Sequence, residues 1–147
     1  AGLLPGVGTY GVSKHAVMAL TEALSRDLIT RQTKINASVL CPGFVDTNID
    51  KSERNRPSHL GDARETTNEI GAEIMSAMLR QGKKPDEIAE IVLEAIKKNI
   101  FYILSHPAWD DSLRSHFDNI LSRKEILPNS EEEIAKFFSP REDGEKY

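Results

Sequence analysis

The chain has 147 residues, of which 39% are hydrophobic and 29% charged, a balance typical of one ordinary globular domain. Its formal net charge of −4 argues against nucleic acid or an anionic membrane as a partner. The apolar runs are too short to cross a bilayer, and no signal peptide is recognisable in the sequence. The single cysteine, Cys41, excludes an internal disulfide, so we expect a cytoplasmic protein.

Hydrophobic spacing predicts alternating helices and strands along the chain. The predicted elements are, in chain order, a helix over 9–31, a strand over 35–41, a helix over 68–80, a helix that starts at Pro85, a strand over 100–104, and helices over 108–126 and 131–138. The rest of residues 48–84 is polar and irregular, and the charged segment from Ser139 is predicted to be disordered.

This order of elements is typical of an α/β fold. The run from Ile100 to Leu104 lacks polar alternation, which predicts a strand covered on both faces, as in a parallel sheet. Two strands alone make a poor parallel sheet, because three or more elements are normally needed to cover one. Either the sheet is completed from outside this chain, or the chain is the second half of a larger domain.

The first predicted helix carries two polar side chains where a core face is expected. At about 100° per residue, Tyr10 and Lys14 lie on the same side as an apolar stripe, whereas Glu22 and Arg26 lie on a solvated flank. A second stripe of small and apolar residues lies nearly opposite and predicts a helix packed on two sides: Val12, Ala16, Ala19 and Ala23.

A tyrosine and a lysine four residues apart are neighbours on a helix. An ammonium beside a phenol stabilises the phenolate and so lowers the pKa of the phenol, which suits acid–base chemistry. The alternative for the lysine is a packed aliphatic stem whose charge reaches water. By spacing alone the pair is weak support for a catalytic site, because many helices contain it by chance.

The surrounding sequence supplies the context. The helix "TYGVSKHAVMALTEALSRDL" is followed by "INASVLCPGFVDTNI". Together they closely resemble the short-chain dehydrogenase/reductase family, in which a Tyr-x-x-x-Lys helix precedes a strand that ends in Pro-Gly and then, after a short gap, Thr. The matching residues are Tyr10, Lys14, Pro42, Gly43 and Thr47. The resemblance implies the C-terminal half of a doubly wound Rossmann-type parallel sheet, without its N-terminal dinucleotide-binding half.

The resemblance also implies a reaction, in which NAD or NADP exchanges a hydride with a small alcohol or ketone substrate. Tyr10 would be the acid/base that exchanges a proton with the substrate oxygen. Lys14 would stabilise the phenolate of that tyrosine and hydrogen-bond the nicotinamide ribose. The sequence does not decide between NAD and NADP, and it does not name the substrate.

Further cofactor contacts are implied at the turn after the first strand. Pro42 and Gly43 would shape this turn at the edge of the sheet where ligands bind in open α/β folds. The Val45 backbone would hydrogen-bond the nicotinamide carboxamide, and the Thr47 hydroxyl would reach the carboxamide or the pyrophosphate.

No metal site is expected, because the four histidines show no metal-ligand spacing.

Two expected parts of such an enzyme are not found in this sequence. The family has a catalytic serine about a dozen residues before the tyrosine, but the nine residues before Tyr10 contain none. The segment "GLLPGVG" has the spacing of the family's glycine-rich cofactor loop, but no strand precedes it, so we interpret it as an entry loop. We therefore expect this chain alone to be inactive.

The resemblance divides the chain, as part of a single domain, into four segments. Residues 1–47 would hold the active-site helix, strand and cofactor turn, 48–84 a substrate lid, 85–138 a helix, a strand and helices, and 139–147 a tail. A homodimer or homotetramer is also implied. Two alternatives stay open: a non-catalytic truncated chain or association module, and a related epimerase or dehydratase.

Overall fold

A computed structural model describes residues 8–61 and 69–125 of the chain. Its helices and strands are α1 (Gly8–Thr30), β1 (Val39–Cys41), α2 (Glu69–Arg80), α3 (Pro85–Lys97), β2 (Tyr102–Leu104) and α4 (Asp110–Leu121). Short 3₁₀ helices cover Ile49–Asn55, Ser58–Leu60 and Pro107–Trp109. The "GLLPGVG" segment up to residue 7, the predicted helix over 131–138 and the predicted tail lie outside the described residues.

The two strands form a parallel sheet, which confirms the predicted α/β class. Leu40 pairs with Ile103 in the centre of the register. The hydroxyl of Ser38 donates a hydrogen bond to the Ile100 carbonyl over 2.8 Å, which ties the strand entrances together. Both strands are shorter than predicted, and Ile35, 65% exposed, lies outside β1. A strand requires a hydrogen-bonded neighbour, and the described residues supply one only over three positions.

The sheet is covered less completely than the sequence predicts. In β2 the Ile103 side chain is 4% exposed, whereas Tyr102 and Leu104 on either side are 48% and 39% exposed. The expectation that this strand is covered on both faces is therefore wrong for the described residues. One face packs into the small core, and the described part of the chain provides too few elements to close the other.

Helix α3 starts and ends as its sequence dictates. Pro85 occupies the first turn, where a missing N–H costs nothing, and the Glu87 carboxylate accepts the backbone N–H of Lys84 at 2.8 Å. Asn99 ends the helix in the left-handed region at φ 54°, and the N–H of Ile100 returns to the Ala95 carbonyl at 2.9 Å. This tight ending delivers the chain directly into β2.

Helix α1 is largely exposed. Tyr10 is 58% exposed and Lys14 is also exposed, so the expectation that both lie on a core-facing side is wrong here. The side of α1 that is buried or half-buried is displaced from the predicted one and consists of Gly11, Met18, Thr21, Glu22, Ser25 and Leu28. The reason is the narrow sheet, because two short strands offer α1 little surface to pack on.

The predicted solvated position of Glu22 is wrong, because the structure places this residue against the sheet. Its carboxylate accepts a hydrogen bond from the Tyr102 hydroxyl at 2.8 Å, and its side chain is 24% exposed. The same carboxylate lies 3.6 Å from the Arg26 guanidinium. The neighbouring carboxylate raises the pKa of Tyr102 above its ordinary value, since it stabilises the protonated phenol.

Among the described residues, no helix has both the length and the apolar character needed to cross a membrane.

Candidate active site

The candidate site lies where both strands end. The chain leaves β1 into the segment 42–47, which we call the cofactor turn, and leaves β2 into Ser105 and His106. Because the strands are parallel, their carboxyl ends meet at one edge of the sheet, which is where open α/β sheets bind ligands. Four of the six predicted site residues belong to this turn: Pro42, Gly43, Val45 and Thr47.

The His106 imidazole fastens the cofactor turn to the end of β2. Its Nδ1 accepts the backbone N–H of Gly43 at 3.0 Å, and its Nε2 lies 3.0 Å from the Phe44 carbonyl oxygen. A backbone amide only donates and a carbonyl only accepts, so the ring carries its proton on Nε2. The hydroxyl of Ser105, which is fully buried, lies 2.9 Å from Nδ1. One planar ring thus bonds to two successive residues of the turn.

Close packing explains the glycine at position 43. A Cβ built on Gly43 would lie 2.8 Å from Cγ and 2.9 Å from Cδ2 of the His106 ring. The ring therefore occupies the space that any other side chain would need. The Trp109 ring lies 5.5 Å from the His106 ring and 5.5 Å, edge-on, from the Phe44 ring. Aromatic packing in this arrangement adds to the rigidity of the turn.

The linker between α2 and α3 supports the turn from its other side. The Lys83 N–H donates to the Phe44 carbonyl at 3.1 Å, and the Asp46 N–H donates to the Lys83 carbonyl at 2.9 Å. A Cβ on Gly82 would lie 2.5 Å from the Phe44 carbonyl group. The Lys84 ammonium forms an ion pair with Asp46, and this hydrogen bond lowers the pKa of the Asp46 carboxyl.

These contacts leave the Val45 peptide groups directed away from the linker. Val45 and Lys83 form a parallel bridge in which Lys83 bonds to the residues on either side of Val45. Among the described residues, neither the N–H nor the carbonyl of Val45 has a hydrogen-bond partner. A donor and an acceptor thus lie side by side on the half-buried turn, which is the pattern that a primary amide complements.

The Tyr10 and Lys14 side chains are neighbours at the start of α1, as their spacing predicts. The Lys14 ammonium lies 5.3 Å from the centre of the Tyr10 ring, within the range of a cation–π contact. The Ser13 hydroxyl donates to the Tyr10 carbonyl at 2.7 Å. In the described part of the chain, no hydrogen bond or ion pair joins this pair to the cofactor turn. The structure therefore contains both groups of predicted residues but does not bring them into contact.

His106 is the site residue that sequence reasoning missed. The sequence pattern treats the four histidines only as possible metal ligands, and the described residues contain no cluster that could hold a metal ion. The signal for His106 is the order "YILSHP", in which two polar side chains follow a buried strand directly. Such residues lie at the ligand-binding edge of a parallel sheet. The Cys41 thiol, in contrast, is half-buried and burial raises its pKa, which does not favour a nucleophile.

The chain is similar in sequence to known oxidoreductases. The model of the family described as short chain dehydrogenase matches residues 2–58, which include the helix and the cofactor turn. The "CLA biosynthesis dehydrogenase/reductase" of Lactiplantibacillus plantarum is 33% identical over 129 residues, covering 83% of this chain and 45% of the relative. The "C alpha-dehydrogenase" of a Sphingobium species is 27% identical and covers 78% of this chain and 37% of the relative.

A solved structure agrees with the sequence matches. The crystal structure of a short chain dehydrogenase/reductase from Burkholderia phymatum in complex with NAD superposes with a TM-score of 0.78 at 36% identity. The chain belongs to the short-chain dehydrogenase/reductase family. The superposition covers 88% of this chain and 48% of the neighbour. The chain thus spans less than half the length of these two curated relatives, and its fold is that of a Rossmann-type member of this family.

Proposed function

We propose that this chain supplies the active-site half of an NAD(P)-dependent oxidoreductase that acts on a small alcohol or ketone. The complete protein would also contain a dinucleotide-binding half. The family membership and the NAD bound to the Burkholderia phymatum neighbour support the cofactor class. The observation that carries the proposal is the Tyr10 phenol with the Lys14 ammonium 5.3 Å from its ring, in the helix that precedes the cofactor turn.

Tyr10 is the proposed proton donor and acceptor. In the reducing direction its hydroxyl gives a proton to the substrate carbonyl oxygen, and in the oxidising direction the phenolate takes a proton from the substrate hydroxyl. Lys14 is the proposed partner of Tyr10, and its ammonium lies 5.3 Å from the centre of the Tyr10 ring. In its proposed role the ammonium stabilises the phenolate and bonds the ribose next to the nicotinamide. The exposed state of both side chains leaves them accessible to substrate and to the other half of the protein.

The cofactor turn is the proposed binding site of the nicotinamide. Within residues 8–61 and 69–125, the N–H and the carbonyl of Val45 have no hydrogen-bond partner. They fit a carboxamide, which presents one acceptor and one donor side by side. Thr47 is exposed two residues further on, where its hydroxyl is available to the carboxamide or the pyrophosphate. When bound, the nicotinamide supplies the hydride chemistry, and the protein supplies orientation and the proton.

The division of the chain that we propose follows from these roles. Residues 1–47 hold the catalytic helix, β1 and the cofactor turn, and residues 48–84 form a lid over the substrate. The Ser76 hydroxyl of α2 donates to the Asp50 carboxylate at 2.9 Å, so α2 is in contact with the start of this segment. Residues 85–138 complete the sheet edge, followed by a tail at 139–147.

An oligomer formed through α1 is part of the proposal. This helix exposes large apolar side chains on its open surface, including Val12 at 72%, Leu20 at 73% and Ile29 at 71%. Exposed apolar area is unfavourable by about 25 cal/mol per Å², so a partner surface that covers it gains stability. The same exposure favours the alternative function, in which the chain serves only as an association module. Activity of the complete protein decides between the two.

The test is Tyr10→Phe in the complete protein, assayed for NAD(P)H-dependent reduction of a panel of small ketones. We expect kcat to fall by about 10²–10⁴, the usual contribution of a positioned acid–base group, while NADH affinity is retained. Tyr102→Phe is the matched control, because it removes a hydroxyl whose partner is Glu22 rather than the substrate. Near wild-type turnover of Tyr10→Phe would refute the assignment.

A further inference from the structure

The hydrogen bonds between His106 and the cofactor turn fix the conformation of this turn. We propose that His106 is a positioning residue, which sets the orientation of the Val45 peptide groups for the nicotinamide carboxamide. The inference rests on the proposed function, because it assigns a role within the same cofactor site. His106 itself does not touch the reacting atoms in this proposal, since both of its ring nitrogens are engaged by the turn.

The ring makes two hydrogen bonds to neighbouring residues of the turn. Nδ1 accepts from the N–H of Gly43, and Nε2 donates to the carbonyl of Phe44, each over 3.0 Å. These two groups lie on either side of the Gly43–Phe44 peptide, and the Phe44 carbonyl belongs to the same planar peptide group as the N–H of Val45. Because the imidazole is rigid and planar, it fixes the two groups relative to each other. The rotation that would turn the Val45 N–H away from its present direction then breaks at least one of these bonds.

The ring itself is held in place. The fully buried Ser105 hydroxyl lies 2.9 Å from Nδ1, and the Trp109 ring lies at 5.5 Å with a tilt of 37°. Gly43 leaves no space between its Cα and the ring, since a Cβ there would approach Cγ to 2.8 Å. The ring is therefore packed closely against the turn and is also contacted by Ser105 and Trp109, as expected for a group that transmits position.

The position of the Val45 groups matters only for the nicotinamide end of the dinucleotide. A ligand that keeps the adenosine diphosphate ribose part but has no nicotinamide makes no contact with them. Loss of the His106 bonds is therefore expected to weaken NADH and to leave ADP-ribose unchanged. A general loss of folding would weaken both ligands equally, so this comparison separates positioning from structural support.

The experiment is calorimetric titration of the complete protein with NADH and with ADP-ribose. His106→Phe keeps a ring against Gly43 and Trp109 but removes both hydrogen bonds. We expect NADH affinity to fall about tenfold, the equivalent of ~1.4 kcal/mol, which is the size of one to two neutral hydrogen bonds. We expect the ADP-ribose affinity to stay at the wild-type value. His116→Phe on α4, whose ring contacts Phe117 instead of the turn, is the matched control.

A second variant keeps the test independent of any effect of ring replacement on folding. In His106→Asn the amide oxygen takes the place of Nδ1 as acceptor for the Gly43 N–H, so we expect partial recovery of NADH affinity. Equal loss of NADH and ADP-ribose in both variants would overturn the positioning role, and so would unchanged NADH binding. Failure of the wild-type protein to bind either NADH or NADPH would overturn the proposed function itself and the inference with it.

Discussion

Substitution of Gly82 by alanine tests the packing between the cofactor turn and the linker before α3. The added Cβ would lie 2.5 Å from both the carbonyl carbon and the carbonyl oxygen of Phe44, and 2.8 Å from the Val45 nitrogen. Carbon contacts are relaxed at about 3.5–4.0 Å, so the two backbones must separate by about 1 Å. Neither side yields easily, because the clashing atoms belong to the backbone and not to a flexible side chain.

The separation strains the two hydrogen bonds that Lys83 forms with the turn, at 3.1 and 2.9 Å. Overpacking costs about 1–3 kcal/mol, and each weakened hydrogen bond adds about 0.5–1.5 kcal/mol. Alanine recovers about 0.4–1 kcal/mol by restricting the unfolded chain. We therefore expect Gly82→Ala to lower the free energy of unfolding by about 3 kcal/mol.

Urea unfolding of the complete protein, followed by circular dichroism, measures this loss. Gly8→Ala is the matched control, because a Cβ on Gly8 would meet no atom of the described residues within 4 Å and alanine favours a helix. The expected result is a lower urea midpoint for Gly82→Ala and an unchanged or higher midpoint for Gly8→Ala. Equal midpoints for the two variants would show that the close approach of Gly82 to Phe44 is not present in the protein.

Two further predictions concern the surroundings of the turn. The hydrogen bond from Lys84 lowers the pKa of the Asp46 carboxyl below its ordinary value of 3.8. The stability that this ion pair contributes is therefore present above pH 3.8 and is lost as the pH falls through the lowered pKa of Asp46. Asp46→Asn should therefore reduce the acid dependence of urea unfolding below about pH 4, and it should weaken NADH binding. The control Glu94→Gln breaks a similar pair with Lys97 on α3 and should leave NADH binding unchanged. The proposed lid predicts slower hydrogen exchange over 49–60 and α2 when NADH and substrate analogue are bound, and the same exchange with and without ligand would exclude a lid.

The helices and the start of α3 were predictable from local sequence, but the end of α4 was not, because the structure ends this helix at Leu121 and the prediction extended it to residue 126. Pro85, the acidic first turn and the apolar spacing from Ile88 to Ala95 are all contained in one short segment, and α3 matches its prediction closely. The strands were predicted in order and direction but were too long, because their length depends on a neighbour that local pattern does not reveal. The exposed position of Tyr10 likewise reflects how much sheet is available to α1, which is a tertiary property.

The candidate site was predictable only in part for the same reason. The residues of the cofactor turn were identified from a motif that is continuous in sequence. The support of that turn comes from distant residues, since Lys84 lies 38 positions from its partner Asp46 and His106 lies 63 positions from its partner Gly43. Pairings at that distance leave no periodic trace in a single sequence.

The separation of 63 positions between Gly43 and His106 also orders events during synthesis. At about 5–20 residues per second, the ribosome adds His106 about 3–13 s after Gly43. During that interval α1 is complete and β1 has been made, but the strand that pairs with β1 and the ring that fastens the turn do not yet exist. The nascent chain therefore has an unpaired β1 and an unfastened turn for seconds, and it is during this interval that a chaperone has most to protect.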